Sequence, residues 1–199
     1  MICYLVRHGK DDETIRGGWS QHPLSPEGVQ QVETLAEKIA CNTGELAVKR
    51  IYSSDLKRAI QTAKIIADRI SLPVISLPQF RETNNGDLAG MKNSLALERY
   101  PGLFWNQLGW EQCYPNGESP KQFYKRISTA WKEFSENILH QNENALLITH
   151  GGVIQVILSM IHAEQYTNTS HTRRIPQATL IGLRYENGRW QEIEERFLP

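Results

Sequence analysis

The chain has 199 residues, of which 40% are hydrophobic and 22% charged, as expected for a globular protein with a sizeable core. Its 22 basic and 22 acidic residues balance, which removes bulk charge as a reason to bind nucleic acid or an anionic membrane. No apolar run approaches membrane-spanning length, and the three cysteines lack metal-ligand spacing. We therefore predict a cytoplasmic protein with reduced thiols, in which any anion site is local.

The first apolar run predicts a buried strand. Residues 2–6 are mostly aliphatic or aromatic and are bounded by charge and glycine. This strand brings Arg7, His8 and Gly9 to its carboxyl end, where open α/β sheets bind their ligands. We therefore take this edge of the sheet as the candidate site.

Two helices are predicted to follow. Serine, proline and glutamate at 25–27 are typical of a helix start, and apolar residues then recur at helical spacing. After a short strand at 50–52, the polar residues at 53–55 predict the cap of a second helix. This order places Arg58, in the first turn of that helix, at the same edge as His8.

The middle of the chain is less regular. A strand at 72–77 is weakened by neighbouring prolines, and residues 79–90 have the composition of a loop, which carries Glu82. Residues 91–118 combine aromatic side chains with prolines and glycines. We interpret this segment as a compact lid with one or two short helices.

The remaining pattern alternates helices with strands. It comprises a helix from 119 to about 139, a strand at 145–149, an apolar helix at 153–161, and strands at 178–185 and 189–197 that flank Asn187-Gly188. Such alternation favours an α/β fold with a mostly parallel sheet that is covered on both faces. The final hairpin adds antiparallel pairing at one edge.

A second histidine-glycine pair, His150-Gly151, follows the strand at 145–149. A lone histidine at a strand end is more often structural than catalytic, but here Arg7, Arg58 and both histidines are predicted at one sheet edge. Four potentially cationic groups would repel one another in an empty site. A dianionic phosphate relieves this repulsion, because the planar fork of arginine matches its oxygens. The pattern therefore favours a phosphate-binding site.

The sequence limits the chemistry available to such a site. It has no glycine-rich phosphate loop, no Cys-x5-Arg motif and no acidic metal cluster, so a neutral imidazole nitrogen is the remaining candidate nucleophile. The leaving oxygen then needs a proton, for which Glu82 is the predicted donor. A zinc site built from His8, Glu82 and His150 is an alternative, which the nearby arginines disfavour.

Several short motifs stand in a fixed order within residues 2–155. They are Arg7-His8-Gly9, Gly18-Trp19, residues 24–28, residues 53–63, Glu82 followed by Gly86 and Gly90, and residues 149–152. In this order they resemble the histidine phosphatase superfamily, and most closely its branch with cofactor-dependent phosphoglycerate mutase and related phosphatases. An ordered set of motifs is far more specific than one short motif alone.

The resemblance implies roles and a fold that spacing alone does not give. The implied catalytic residues are His8 as nucleophile, Glu82 as proton donor and His150, which is also a phosphate ligand; the implied substrate-binding residues are Arg7, Arg58, Gly9 and Gly151. The resemblance also implies a three-layer αβα sandwich, here a single domain over residues 1–199. It implies no metal, no cofactor and a small phosphorylated substrate, and it leaves the oligomeric state open, a homodimer included.

The sequence departs from these relatives directly after the arginine-histidine-glycine motif. Relatives carry a hydroxyl residue there and then an asparagine, whereas residues 10–13 of this chain are a lysine and three acids. We expect Asp11, Gln21 or a backbone amide to replace the asparagine. We also expect the three acids to lie at the mouth of the pocket, where they would disfavour a second anionic group on the substrate.

Two features favour a phosphatase over a phosphoglycerate mutase: the compact segment 91–118 and the Gly151-Gly152 pair. A catalytically inactive phospholigand-binding protein is the other alternative. Such a protein need keep neither His8 nor Glu82, and this chain has both. We therefore predict a metal-independent phosphomonoesterase that forms a phosphohistidine on His8.

Overall fold

The structure, a computed structural model, describes residues 1–170 and 173–193. The strands are β1 (Ile2–Arg7), β2 (Val48–Ser53), β3 (Val74–Ser76), β4 (Asn144–Thr149), β5 (Leu180–Glu186) and β6 (Arg189–Ile193). The helices are α1 (Pro26–Cys41), α2 (Thr43–Leu46), α3 (Lys57–Ile70), α4 (Asn93–Arg99), α5 (Pro120–Gln141) and α6 (Gly151–Ile161), with 3₁₀ turns at Pro78–Phe80, Gly86–Leu88 and Trp105–Gln107. No helix within these described ranges is long and apolar enough to cross a membrane.

The strands form one six-stranded sheet in the order β3-β2-β4-β1-β5-β6. The first four strands of this order run parallel to one another. Strand β5 pairs antiparallel with β1, and β6 pairs antiparallel with β5. The mostly parallel sheet with antiparallel pairing at one edge, predicted from the sequence, is confirmed.

Each central strand is buried on both faces, which explains its unbroken apolar run. In β1, Tyr4 and Val6 contact the core formed with α1 and α3, whereas Cys3 and Leu5 contact the core formed with α5 and α6. Side chains alternate between the two faces because the strand period is two residues. The result is the three-layer αβα sandwich that was expected.

Two of the predicted helix starts carry the predicted caps. Ser25 Oγ accepts the Gly28 N–H at 3.0 Å ahead of α1. Ahead of α5, Ser119 Oγ accepts the Gln122 N–H at 3.2 Å, while Gln122 Oε1 accepts the Ser119 N–H at 2.9 Å. This reciprocal pair satisfies two amide groups that the helix itself leaves free.

The cap predicted for α3 at 53–55 is wrong. The helix begins at Lys57 after Leu56, without a cap from a side chain at its own N-cap position. Gln21 Oε1 accepts the Lys57 N–H instead, at 3.2 Å. Ser54 Oγ makes a 2.8 Å hydrogen bond to His150, so the candidate site uses the serine that the sequence assigned to the helix.

The hairpin at Asn187-Gly188 is present. Both residues have left-handed backbone conformations, with φ of 53° and 78°, as a tight type I′ turn between twisted strands requires. The predicted second strand extends to 197, and its part beyond 193 lies outside the described residues.

The segment 91–118 contains α4 and one 3₁₀ turn, as its composition suggested. Leu108 and Tyr114 form a small buried cluster with Leu88, and Trp105 packs against it. The segment therefore has a local core of its own. Its function as a lid on a single domain stays a prediction.

The capping box generates a stability prediction. Ser119→Ala should lower the free energy of unfolding by about 1 kcal/mol, because the Gln122 N–H at a 2% exposed N-cap loses its partner. The midpoint of urea unfolding measures this change. Ser128→Ala, within the same helix, is the control, since Ser128 Oγ bonds only the Lys125 carbonyl one turn earlier. Equal midpoints for the two variants would contradict the prediction.

Candidate active site

The register between β1 and β4 brings two candidate residues together. The strands are parallel with Arg7 opposite Thr149, so His8 and His150 leave the sheet side by side. The His8 N–H donates to the Thr149 carbonyl at 3.0 Å, and the two imidazole centroids lie 5.1 Å apart. Both side chains are buried, at 4% and 0% exposed. The common edge predicted for these histidines is therefore present.

His8 is held as a neutral tautomer. Its Nδ1 lies 2.7 Å from the Gly9 carbonyl, and a carbonyl can only accept, so Nδ1 carries the proton. Burial, together with the charge of Arg58, lowers the pKa of His8 well below its usual value. Nε2 therefore keeps its lone pair, and it accepts a hydrogen bond from Arg58 Nε at 3.2 Å. A neutral imidazole whose Nε2 is unprotonated is a competent nucleophile.

His150 is also neutral. Its Nε2 lies 2.8 Å from Ser54 Oγ, and its buried Nδ1 has no hydrogen-bond partner among the described residues. Burial, followed by the charges of Arg58, His8 and Arg7, lowers the pKa of His150 well below its usual value. The positive charge of the site therefore comes from arginines and not from all four groups that the sequence brought together.

Arg58 lies in the first turn of α3, and its side chain is 2% exposed. Its Nη1 donates to the Ser20 carbonyl at 3.1 Å and its Nη2 to the Gly18 carbonyl at 2.8 Å. Burial lowers the pKa of Arg58, and nearby carboxylates oppose that shift. The two carbonyls hold the guanidinium so that Nε faces His8.

Arg7 supplies the second guanidinium. It lies against Gly151, where an added Cβ would be 3.4 Å from Arg7 Cζ, and its Nη1 donates to the Ile175 carbonyl. Its buried Nε has no hydrogen-bond partner within the described part of the chain. Burial lowers the pKa of Arg7, with Glu82 the largest opposing charge. The unused N–H is a donor available to an anion.

Glu82 follows the 3₁₀ turn at Pro78–Phe80 and contacts the amino end of α6. Its Oε2 accepts the Gly152 N–H at 3.1 Å, and its Oε1 accepts the Thr83 N–H at 3.2 Å. A Cβ at position 152 would stand 2.5 Å from Glu82 Oε1, so the carboxylate fits here only beside a glycine. The second glycine after His150 thus leaves room for the acid and binds it through its N–H.

The main chain of Glu82 is fixed from two sides. Trp19 Nε1 donates to the Glu82 carbonyl at 2.6 Å, and Arg126 Nη2 donates to the same oxygen at 3.0 Å. Arg126 also pairs with Glu118 at 2.6 Å. Sequence reasoning missed Arg126, because no periodicity distinguishes it on α5, and it found Trp19 only as part of a motif.

Arg7, Glu82 and Gly151 line a cleft of about 580 Å³. The other lining residues are Arg16, Gly17, Gly18, Thr83, Asn85, Trp105, Tyr114, Gly152, Gln155, Arg174 and Ile175. Arg16 and Arg174 had no role in the sequence analysis, since nothing in their local pattern points to the site.

Gly9 does not reach the cleft. Its N–H donates to Thr62 Oγ1 at 3.2 Å, and its carbonyl fixes Nδ1 of His8. An added Cβ would lie 2.5 Å from the Gly28 carbonyl, so the glycine allows close packing against α1. The residues that line the cleft also omit His8, Arg58 and His150, so the implied role of Gly9 in phosphate binding stays a prediction, while its carbonyl orients His8.

None of the acids at 11–13 lines the cleft, and neither do His8, Arg58 and His150, so the position of these acids at the mouth of the pocket stays a prediction. Asp12 accepts the Thr14 N–H at 2.9 Å within its own loop. The side chain of Asp11 is directed at α3, and its Oδ2 lies 3.4 Å from Arg58 Nε. Of the two side chains expected to replace the asparagine of relatives, Asp11 thus reaches the site, whereas Gln21 caps α3.

The zinc alternative lacks a ligand set. Among residues 1–170 and 173–193, no three His, Cys, Asp or Glu side chains are grouped as a metal ion would require. His8 Nε2 faces the guanidinium of Arg58, which would repel a cation.

A sequence profile decides the family. The profile of the histidine phosphatase superfamily (branch 1) matches residues 3–195. The chain belongs to this superfamily. This family acts on small phosphorylated substrates, which agrees with a site of two buried histidines and two arginines. This histidine phosphatase is a hydrolase of phosphate monoesters.

Known relatives include both phosphatases and mutases. The uncharacterized phosphatase PhoE of Bacillus subtilis is 26% identical over 193 residues, which cover 96% of this chain and 91% of that protein. The probable phosphoglycerate mutase GpmB of Yersinia pestis is 32% identical over 200 residues, covering 94% and 86%. The crystal structure of the α-ribazole phosphatase from Shigella flexneri shares the fold, with a TM-score of 0.82 at 22% identity and coverage of 97% and 95%.

The position of Glu82 generates a prediction about proton donation. Glu82→Gln should slow the hydrolysis of alkyl phosphates by about 10²–10⁴-fold, the usual effect of a positioned general acid. It should slow nitrophenyl phosphate much less, because nitrophenolate leaves almost unaided. The kcat/KM values of the two substrates measure the difference, because they report the steps up to departure of the leaving group and not the later hydrolysis that both substrates share.

Asp87→Asn is the matched control for this variant. Asp87 is exposed, accepts from Asn116 at 3.0 Å and does not line the cleft, so its loss should leave both substrates unaffected. Equal losses of kcat/KM on both substrates in a folded Glu82→Gln protein would assign Glu82 to positioning instead of proton transfer to the leaving group.

Proposed function

We propose that this histidine phosphatase is a metal-independent phosphomonoesterase that hydrolyses a small phosphorylated metabolite through a phosphohistidine on His8. The observation that carries the proposal is the tautomer of His8, whose Nε2 is unprotonated and faces Arg58. Two arginines, Arg7 and Arg58, supply the positive charge that a phosphoryl group requires, so no metal is needed for that purpose.

The reaction divides into two displacements. In the first, His8 Nε2 forms a bond to phosphorus, the ester P–O bond breaks, and Glu82 gives its proton to the leaving oxygen. In the second, water attacks phosphorus, the P–N bond breaks and its electron pair returns to Nε2, while the carboxylate of Glu82 takes a proton from the water. The Gly9 carbonyl keeps Nδ1 protonated throughout, which orients the ring.

Each remaining residue of the proposed site assists these steps. Arg7 and Arg58 would bind the phosphoryl oxygens through N–H groups, and neutral His150 would contribute a further polar contact. Gly151 lies beside Arg7, and Gly152 leaves space for the carboxylate of Glu82. A mutase would instead pass the phosphoryl group to a second substrate, and we prefer the phosphatase because the segment 91–118 is compact.

The nucleophile can be tested directly. Radiolabelled substrate should leave an acid-labile label on the wild-type protein, and His8→Ala should lose both the label and turnover. His140→Ala, at an exposed position near the end of α5, should keep both. Exhaustive chelation should leave the wild-type rate unchanged. Full turnover by a folded His8→Ala protein would exclude the mechanism.

We further propose that the substrate carries a second anionic group, because two arginines besides Arg7, namely Arg16 and Arg174, line the cleft. Arg16 Cζ lies 4.3 Å from the centroid of the Phe104 ring, and its buried Nε lacks a hydrogen-bond partner in the described residues. Arg174 also lines the cleft, and its charge lowers the pKa of Arg7. Neither Arg16 nor Arg174 forms an ion pair with a carboxylate that the structure describes. This reverses the charge preference expected from the acids at 11–13.

A matched pair of substrates tests this preference. 3-Phosphoglycerate and glycerol 3-phosphate differ only by a carboxylate in place of a hydroxymethyl group. Release of inorganic phosphate from the first should have a kcat/KM about tenfold higher, and Arg16→Gln should remove most of that advantage, as expected for one hydrogen bond to a charged group.

Arg99→Gln, at the exposed end of α4, should leave the ratio unchanged. A wild-type enzyme that prefers glycerol 3-phosphate would contradict the proposal. Conversion of phosphoglycerate without release of inorganic phosphate would instead support the mutase.

The cellular location, the lid on a single domain and the oligomeric state are also part of the proposal. The three cysteines are free thiols, which supports the expected cytoplasmic location. The packing of Trp105 and Tyr114 in the cleft wall supports a lid formed by residues 91–118 on a single domain. A homodimer remains compatible with both, and sedimentation of the purified protein would measure the oligomeric state.

A further inference from the structure

Asp11 places a negative charge inside the proposed phosphate site. Its Oδ2 lies 3.4 Å from Arg58 Nε, and the two side chains are 17% and 2% exposed. The same Nε–H is directed at His8 Nε2, 3.2 Å away. A carboxylate thus forms an ion pair at the same guanidinium nitrogen that donates to the proposed nucleophile.

The contact is fixed by the main chain of the loop. Asp11 forms an isolated β-bridge with Leu24, and the Ser25 N–H donates to the Lys10 carbonyl at 2.8 Å. The bridge holds Asp11 at the start of α1, so its side chain is presented to α3. Asp12, one residue later, bonds Thr14 in its own loop and makes no such contact.

The charge of Asp11 is directed at the arginines of the proposed phosphate site. Its charge acts on Arg7 as well as on Arg58, and on both it favours the cationic form. Among the described residues, the carboxylate of Asp11 forms its ion pair with Arg58. A dianionic phosphate bound to Arg58 and Arg7 would therefore lie close to the negatively charged carboxylate of Asp11.

We propose that Asp11 is an internal competitor of phosphate for Arg58 and thereby sets the affinity of the site for phosphoryl groups. With the site empty, the carboxylate compensates the buried guanidinium of Arg58. When phosphate binds, it must displace that carboxylate or bind against its repulsion, which weakens both substrate and product binding. The inference rests on the proposed function, because it assumes that Arg58 receives the phosphoryl group.

The proposal predicts the sign of a charge-removing substitution. Asp11→Asn keeps the size of the side chain and an oxygen that can accept from Arg58, but it removes the charge. Asp11→Ser, the second variant, removes the charge and shortens the side chain. A residue that merely positions Arg58 would weaken phosphate binding when it is replaced, whereas a competitor would strengthen it.

The experiment measures the dissociation constant of inorganic phosphate by calorimetry at pH 8, with turnover of nitrophenyl phosphate and of an alkyl phosphate followed separately. Both Asp11 variants should bind phosphate at least about tenfold more tightly than the wild type, given that placing like charges together costs several kcal/mol. Asp12→Asn is the control and should bind like the wild type. Melting temperatures identify any variant that fails to fold.

The other outcomes are distinct. Unchanged or weaker phosphate binding by folded Asp11→Asn and Asp11→Ser proteins would overturn the proposal. Slower turnover of alkyl phosphates with unchanged phosphate affinity would also overturn it and assign Asp11 to proton transfer. Absence of both phosphate binding and turnover in the wild type would reject the proposed function itself, and the inference with it.

Discussion

The parallel register of β1 against β4 is the constraint on which the site depends. Because Arg7 lies opposite Thr149, the next residue of each strand is a histidine, and the two rings emerge together at 5.1 Å. A shift of one residue in this register would send the side chains of one strand to the opposite face. The buried alternation of Tyr4 and Val6 with Cys3 and Leu5 opposes such a shift, so core packing fixes the chemistry.

Burial then determines where the charge resides. Desolvation keeps both histidines neutral, whereas a guanidinium cannot give up its proton under the same conditions. Arg58 is nevertheless almost fully buried, and the carbonyls of Ser20 and Gly18 compensate for the lost water. The same buried cation also attracts Asp11, so the charge that suits the site to phosphate creates a competitor for it.

Local pattern predicted most of the elements, because the period of the apolar residues is a local property. The strand before His8, the capped starts of α1 and α5 and the turn at Asn187-Gly188 were all visible in this way. The resemblance supplied the nucleophile and the acid. Contacts between distant segments were not visible: Arg126 fixes the carbonyl of Glu82 from α5, and Arg16 reaches the cleft from a loop. The same limit explains the error at the start of α3, since the use of Ser54 by His150 has no local signature.

Glycine connects these levels of the structure at two positions. At Gly9, the absent side chain lets the loop pack on α1, and the Gly9 carbonyl can then bond Nδ1 of His8. At Gly152, the absent side chain leaves room for the carboxylate of Glu82, 3.1 Å from the amide that holds it. Each glycine therefore contributes to the site by the room that its missing side chain leaves, in addition to its own polar groups. A hydrogen bond to the backbone orients the nucleophile in one case and the acid in the other, and both bonds require the main chain to approach more closely than a Cβ would allow.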